Sequence, residues 1–423
     1  MNGHSTVVVV GGGVVGCAVA YYAAGRGLDV TLVDMPKRGR ATSASAGGLW
    51  PMGESVGLGC GVIFAKAGLA HGSAGNAGTA PGRLPGTFLD FALKSRTMFP
   101  ALAESLREHA GMDVELEPTS LLFLLYDDGD EAYARALWSD YPDQRGLLEW
   151  LTPGEVAAAE PALTRRLRGA LRFHGDDQIN PYKFADALRA GARNLGATVI
   201  PHTEVTGIVR RGSRVTGVRT PDRTIGCEVM VNAAGAWAAQ VGRMAGIDVP
   251  VTPVRGQIVC TETLPETLTA CISTTDCYLA QKTHGEVIIG STTEDAGFDT
   301  GTTLTAAGSL SEGAIRAVPA LARVRVKRMW SGLRPGSPDE LPILGPVEGL
   351  AGYLNACGHF RTGILNAPLT GLAIAELAAG QPACQPIEPF LSARFGAPAT
   401  APGTTGADRG RPATVPREVN VEN

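Results

Sequence analysis

Excess positive charge, paired cysteines and long apolar runs are what this 423-residue chain lacks. Its 37 Lys and Arg are outnumbered by 41 Asp and Glu, for a net charge of −4. That balance argues against nucleic acid as the main partner and against a basic membrane-binding surface. The eight cysteines, Cys17, Cys60, Cys227, Cys260, Cys271, Cys277, Cys357 and Cys384, contain no C-x-x-C pair. Cys271 and Cys277 stand six apart with no companion pair, so zinc and iron–sulfur spacings are absent and no metal is expected. No run of about 20 apolar residues is present to span a bilayer. The apolar, glycine-rich stretch Val56–Ala70 is shorter and carries Lys66. Met1–Ser5 is too short for a secretory signal, so reduced thiols in a cytoplasmic setting are expected.

What is present starts at Thr6–Asp34, TVVVVGGGVVGCAVAYYAAGRGLDVTLVD. Val7–Val10 reads as a buried parallel strand. Gly11, Gly13 and Gly16 then form G-x-G-x-x-G. The first glycine allows the tight turn, the second lets backbone approach a pyrophosphate, and the third lets helix lie close on strand. A helix from about Val14 to Ala24 turns its free N–H groups and positive dipole end toward the phosphates. The strand Asp29–Val33 ends on Asp34, whose carboxylate suits a ribose hydroxyl. This context makes the motif a dinucleotide site, without separating FAD from NAD.

With 44% hydrophobic and 18% charged residues, the chain is long enough for two domains. Ala41–Trp50, with Gly47 and Gly48, is a small-residue segment suited to a flat ring lying on main-chain N–H groups. Met52–Gly86, which holds His71, reads as a long loop. Thr87–His109 reads as one amphipathic helix, Ser120–Tyr126 as a strand and Glu131–Trp138 as a helix. A helix start follows at Thr152, a strand at Leu171–Phe173 and a helix at Pro181–Leu195. Ile208–Arg211 and Arg214–Arg219 fit a hairpin. Glu228–Val231 runs into NAAGAW at 232–237, which places Ala234 and Gly235 at the carboxyl edge of a sheet. Pro250–Glu262, Cys277–Gln281 and Glu286–Gly290 have strand character, and Ala306–Val318 reads as a helix. Val324–Trp330 reads as a strand and Leu333–Pro346 as a Pro-rich excursion. After the turn Gly358–Gly363 a helix runs to about Ala379, where Pro368 is tolerable only in the first turn. The tail reads as disordered.

These residues and their order resemble the D-amino acid oxidase-like flavoproteins. GGGVVG at 11–16, Asp34, TSASAGG at 42–48, HTEV at 202–205, NAAGAW at 232–237, GLRPG at 332–336 and GHFRTGI at 358–364 carry the resemblance. Within the family they are closest to the glycine oxidase branch. ASAGGLWPMGESVGLGCGVIF at 44–64, CYLAQK at 277–282, IGSTTEDAGFD at 289–299 and LRPGSPDELPILGP at 333–346 are similar to the neighbouring flavin subunits of hydrogen cyanide synthases and opine oxidases. The resemblance implies an α/β, two-domain FAD-dependent oxidoreductase: a Rossmann-like FAD-binding domain and an antiparallel-sheet substrate domain. The first takes 1–86, 150–237 and 326–395, the second 87–149 and 238–325, with 396–423 as the tail.

For the cofactor, FAD, the resemblance implies ADP contacts at Val14, Val15, Asp34 and Met35, and flavin or phosphate contacts at Ala41, Thr42, Ala46, Gly47 and Gly48. It implies that Val205 holds the adenine through its backbone and that His359, Phe360, Arg361, Thr362, Gly363, Ile364 and Leu365 line the isoalloxazine. No second G-x-G-x-x-G is present for NAD, so electrons enter from the substrate. Oxidising an amino acid needs orientation and charge matching more than acid–base machinery. Arg334 supplies a guanidinium that pairs two carboxylate oxygens, and the family puts the carboxylate-binding arginine there. Tyr278 matches the family tyrosine at the same carboxylate. Arg361, beside the flavin edge, is expected to touch ring and substrate. His359 is expected to pack on the flavin and is not assigned proton transfer.

The implied reaction is oxidation of glycine to hydrogen cyanide and carbon dioxide. Partner subunits in a heteromeric complex would carry the electrons to a membrane respiratory chain. The protein would then be peripheral on the cytoplasmic side of the membrane, with Val56–Ala70 as contact surface. Octopine-type secondary amines are the competing substrate class, and a flavin-binding structural subunit without turnover is the third reading.

Overall fold

A computed structural model describes residues 4–58 and 83–396. From residue 59 onward the stretch Val56–Ala70 lies outside them, as do His71, Cys60 and the tail after residue 396.

The β-branched run His4–Val10 forms the middle of an eight-stranded sheet. It pairs in parallel with Val30–Val33 on one side and Thr224–Asn232 on the other. Val10 stands opposite both Val33 and Asn232, and Asn232 stands opposite Asn355 of the parallel strand Leu350–Cys357. This register brings four strand ends to one edge. The segments that follow them, Gly11–Gly13, Asp34, Ala233–Trp237 and Gly358–Thr362, therefore meet in space, as open α/β sheets require at their carboxyl edge.

Helices Val14–Gly25, Pro181–Asn194 and Gly363–Ala378 pack together over this sheet. Small residues set their spacing: a Cβ on Gly371 would lie 2.7 Å from the Ala18 backbone. Val7, Val9, Ala18, Leu188 and Ile374 are wholly buried between these layers.

A second, largely antiparallel sheet runs in the order Val326–Gly336, Thr252–Thr263, Glu286–Gly290, Tyr278–Gln281, Cys271–Ser273, Ser120–Leu125, Gly169–His174, Leu148–Leu151. Its membership departs from the division expected from sequence. Leu148–Leu151, Gly169–His174 and Val326–Gly336, placed there with the nucleotide-binding segments in whole or part, pair into the second sheet. Periodicity marks a strand but not its partner, and these pairings bridge distant parts of the chain.

Individual elements also differ. The helix expected over Thr87–His109 is two, Gly86–Thr97 and Phe99–Ala110, because Pro100 has no N–H to continue the first and sits instead in the opening turn of the second. The Pro-rich stretch after Leu333 is not an excursion: one strand runs on through Gly336, and Ile343–Val347 is another. Both lie at sheet edges, where Pro335 and Pro346 are tolerated. Pro368 lies inside its helix, beyond the first turn. There Ser95 Oγ donates to the Leu365 carbonyl at 2.7 Å and accepts from the Leu369 N–H at 3.3 Å, inserting a hydroxyl beside the proline.

Part of the expected long loop is a short helix, Pro51–Ser55. The fully buried Asp176 carboxylate accepts the Met52 and Gly53 N–H groups at 3.2 and 2.9 Å. Burial pushes its pKa well above the usual carboxylate range. Among the described residues, no helix is long and apolar enough to cross a membrane and no cluster of His, Cys, Asp or Glu is placed to hold a metal ion.

Candidate functional site

The sheet edge opens into a long cavity whose floor is the glycine loop. Gly11 has φ +108°, and a Cβ there would lie 2.5 Å from the Ala233 carbonyl oxygen. Gly16 does not reach the cavity; its Cβ would fall 1.8 Å from the Gly11 carbonyl oxygen, so its absence lets helix meet strand. Gly13 is different. The nearest atom to a Cβ there is Thr42 Oγ1 at 3.4 Å, and the residue lines the cavity with Val14 and Val15. Thr42 Oγ1 accepts the Val14 N–H at 3.0 Å and ties Ala41–Ala44 to the helix start.

Asp34, 6% exposed, lies on the wall as the dinucleotide motif requires. It accepts the Gly12 N–H at 2.7 Å, and Arg40 Nη2 donates to both its oxygens at 2.6 and 2.9 Å. Arg40 Nη1 also donates to the Gly12 carbonyl, so one guanidinium locks acid and loop together. A carboxylate offers about four acceptor positions, so capacity remains for a ribose hydroxyl. Met35 forms the exposed rim, and Ala46, Gly47, Gly48, Val205, Ala234 and Gly235 line the walls. The dinucleotide implied by the sequence fits this arrangement: a helix start, a loop without side chains and an acid at the next strand end converge on one groove.

At the other end, His359, Phe360, Arg361, Gly363 and Ile364 line the cavity, while Thr362 and Leu365 are buried just behind it. His359, 1% exposed, meets Thr370 Oγ1 through Nε2 at 3.0 Å. Burial lowers its pKa to about 3, so the ring is neutral and suits packing rather than proton transfer. Cys357 also lines the cavity; burial pushes its thiol up to about 12, which keeps it protonated.

Arg334 reaches this end from the second sheet. Its Nη1 donates to the Thr292 carbonyl at 3.0 Å and its Nη2 to Ser291 Oγ at 2.5 Å. The guanidinium lies over Gly256, where a Cβ would come within 2.3 Å of both Nη atoms. Tyr278 is treated alike: a Cβ on Gly290, its partner across the ladder, would lie 2.3 Å from the hydroxyl. Two glycines thus make room for the two side chains expected at a substrate carboxylate. Trp50 packs edge-on against Tyr278 with centroids 5.4 Å apart, and the Phe360 N–H bonds the Pro335 carbonyl at 3.0 Å. The ring loop, the aromatic pair and the arginine strand therefore form one wall.

Arg361 lines the cavity, yet its guanidinium is held by carboxylates. Nε donates to Glu54 at 2.9 Å and Nη1 to Glu340 at 2.8 Å, with the side chain 3% exposed. The sequence marks this arginine but not its partners. Arg40, Trp50, Glu54, Trp237 and Ser291, for which the sequence implies no individual role, also line the cavity. Only the W-P-x-x-E spacing at 50–54, which puts Trp50 and Glu54 one helical turn apart, was legible as a signal.

The family described as FAD dependent oxidoreductase (DAO) matches residues 6–377. The chain is 47% identical, over 405 residues covering 93% of this chain and 97% of the relative, to hydrogen cyanide synthase subunit HcnC of Pseudomonas aeruginosa. It is 32% identical to the glycine oxidase of Geobacillus kaustophilus over 93% of this chain and 98% of that one. The crystal structure of glycine oxidase from Geobacillus kaustophilus superposes with a TM-score of 0.80 at 30% identity, covering 92% of this chain and 98% of that chain. L-proline dehydrogenase from P. horikoshii superposes with a TM-score of 0.78 at 25% identity, covering 93% and 98%.

Proposed function

The chain belongs to the FAD-dependent oxidoreductase family, and from that premise we propose that it oxidises glycine to hydrogen cyanide and carbon dioxide as the flavin subunit of a multi-subunit hydrogen cyanide synthase. One observation carries the reading: a half-buried arginine on an edge strand, Arg334, lines the same cavity as the glycine loop, beside Tyr278 and the His359–Ile364 loop. The 47% identity to a hydrogen cyanide synthase subunit over nearly the whole chain supports it.

Bound FAD supplies the two-electron acceptor for the hydrogen leaving the substrate carbon. Gly11, Gly13, Val14, Val15 and Asp34 hold its nucleotide half, and Gly47, Gly48 and His359–Ile364 its ring. Arg334 binds the glycine carboxylate through its Nη groups, and Tyr278 donates its hydroxyl to the same group. Trp50 and Ile258 exclude water from the reacting carbon. His359 stays neutral and fixes its loop. Overall, glycine yields hydrogen cyanide, carbon dioxide, four protons and four electrons, in two two-electron oxidations. The chain has no cysteine spacing for an iron–sulfur cluster, so its electrons pass to partner subunits and from them to a respiratory acceptor. Those partners hold it against the cytoplasmic face of the membrane.

The test is head-space cyanide detection from the co-expressed complex fed glycine. Cyanide from glycine supports the reading; pyruvate from octopine without cyanide replaces it with an opine oxidase. Flavin absorbance that does not bleach on anaerobic mixing with glycine, with partners present, leaves only a flavin-binding structural role.

A further inference from the structure

Glycine reaches a neutral-pH site as a zwitterion. Arg334 answers its carboxylate, but an ammonium moved out of water also needs a counter-charge or strong acceptors. The described wall offers one carboxylate at the right end. Glu54, 8% exposed, lines the cavity on the helix Pro51–Ser55, and its N–H bonds the Trp50 carbonyl at 2.8 Å. It therefore sits one turn from the ring that packs on Tyr278. Arg361 takes only Oε2, and no hydrogen bond from a described residue reaches Oε1. Arg361 in turn holds a second carboxylate, Glu340, which does not line the cavity. One guanidinium between two carboxylates leaves the trio with a formal charge of −1, and the cavity-lining member is Glu54.

We infer that Glu54 is the binding group for the substrate ammonium, so that the cavity recognises a small zwitterion at both ends, anion on Arg334 and cation on Glu54. This rests on the amino-acid reading above. Arg361 then acts as the positioning residue: its bond holds Oε2 and leaves Oε1 for the ligand, and Glu340 neutralises it so that the charge of Glu54 is left for the ligand. The same arrangement disfavours ligands with a carboxylate and no cation, such as hydroxy acids, and ligands with two acids.

The experiment compares glycine with glycolate, the same carboxylate with a hydroxyl in place of the ammonium, on the flavin-loaded complex. Glu54→Gln removes the charge and keeps an acceptor for Arg361. It should raise the KM for glycine roughly 10- to 100-fold, while the inhibition constant of glycolate falls or holds, because the carboxylate that disfavours it is gone. Glu340→Gln, which leaves Arg361 to be cancelled by Glu54 alone, should raise the glycine KM in the same direction but by less than Glu54→Gln does, with glycolate no weaker. In the wild type, methylammonium, the cationic fragment alone, should compete with glycine. An unchanged glycine KM in Glu54→Gln, equal weakening of glycolate, an equal effect from Glu340→Gln, or no competition by methylammonium each overturns the inference. The methylammonium arm needs no variant, so a Glu54→Gln chain that fails to fold still leaves a decision. If glycine does not reduce the wild-type flavin at all, the amino-acid reading itself has failed; if it does and these outcomes miss, only the role of Glu54 has.

Discussion

Gly256→Ala displaces the arginine of the site without touching its charge. A Cβ at 256 would lie 2.3 Å from Nη1 and Nη2 of Arg334 and 2.4 Å from Cζ. Unstrained contacts begin near 3.4 Å, so the guanidinium must withdraw by about 1.1 Å. The backbone of Gly256 is not in the left-handed region, and the atoms in the way are the tip of a flexible side chain, so the fold accommodates the methyl group. The bonds to Thr292 and Ser291 do not survive a shift of that size in their present form. Misplacing a positioning group by about 1 Å can cost on the order of 10²-fold, or about 2.7 kcal/mol. The assay is steady-state oxidation of glycine by the assembled complex, with flavin absorbance and a thermal melt as controls. We expect kcat/KM to fall roughly 100-fold, flavin to be retained and the melting temperature to move little. A Gly256→Ala protein with wild-type kcat/KM would mean that Arg334 does not hold the substrate.

Gly290→Ala should cause a loss of similar sign through Tyr278, whose hydroxyl lies 2.3 Å from the added Cβ; an unaltered KM for glycine speaks against tyrosine contact. Gly13→Val and Gly16→Ala should differ in kind. At Gly13 the nearest atom to a Cβ is Thr42 Oγ1 at 3.4 Å and the residue lines the cavity, so the variant folds but purifies colourless. At Gly16 the obstacle is backbone at 1.8 Å, so the chain itself is lost, as soluble yield and circular dichroism would report. His359 gives a pH signature. Its folded pKa, about 3, lies below the unfolded value of 6.5. Between those values the unfolded state binds the extra proton, so stability rises with pH through the window and is lost as pH falls from 6.5 toward 3. Denaturant titrations should show wild type losing a few kcal/mol relative to His359→Gln over that range, and parallel curves would exclude the buried neutral ring. Trp50→Ala should cost about 3 kcal/mol, because the side chain is 3% exposed, and should raise activity on alanine or sarcosine relative to glycine; an unchanged substrate ratio removes Trp50 from the pocket wall.

The nucleotide half of the site was legible because its signals are local. A β-branched run, three glycines, a helix pattern and an acid after the next strand each act within a few residues of one another. The structure puts Gly11, Gly13, Val14, Val15 and Asp34 on one cavity for that reason. The substrate half was legible only through resemblance, since GLRPG carries no periodic signal. Its prolines even disguised a strand as a loop, because an edge strand can dispense with the N–H that proline lacks. The partners of the site's charges were not legible at all. Arg40 finds Asp34 across a turn, Arg361 finds Glu54 from 307 positions away, and Arg334 finds Ser291 from 43.

The linear order of residues by itself determined that a dinucleotide groove forms, because each requirement there is met by the backbone of one strand–turn–helix unit. Only the tertiary structure decided which charges face that groove and which are cancelled behind it. Strand register and helix packing, not neighbouring sequence, bring a carboxylate to an arginine, and so Glu54, Arg361 and Glu340 acquire their meaning only once three distant segments meet.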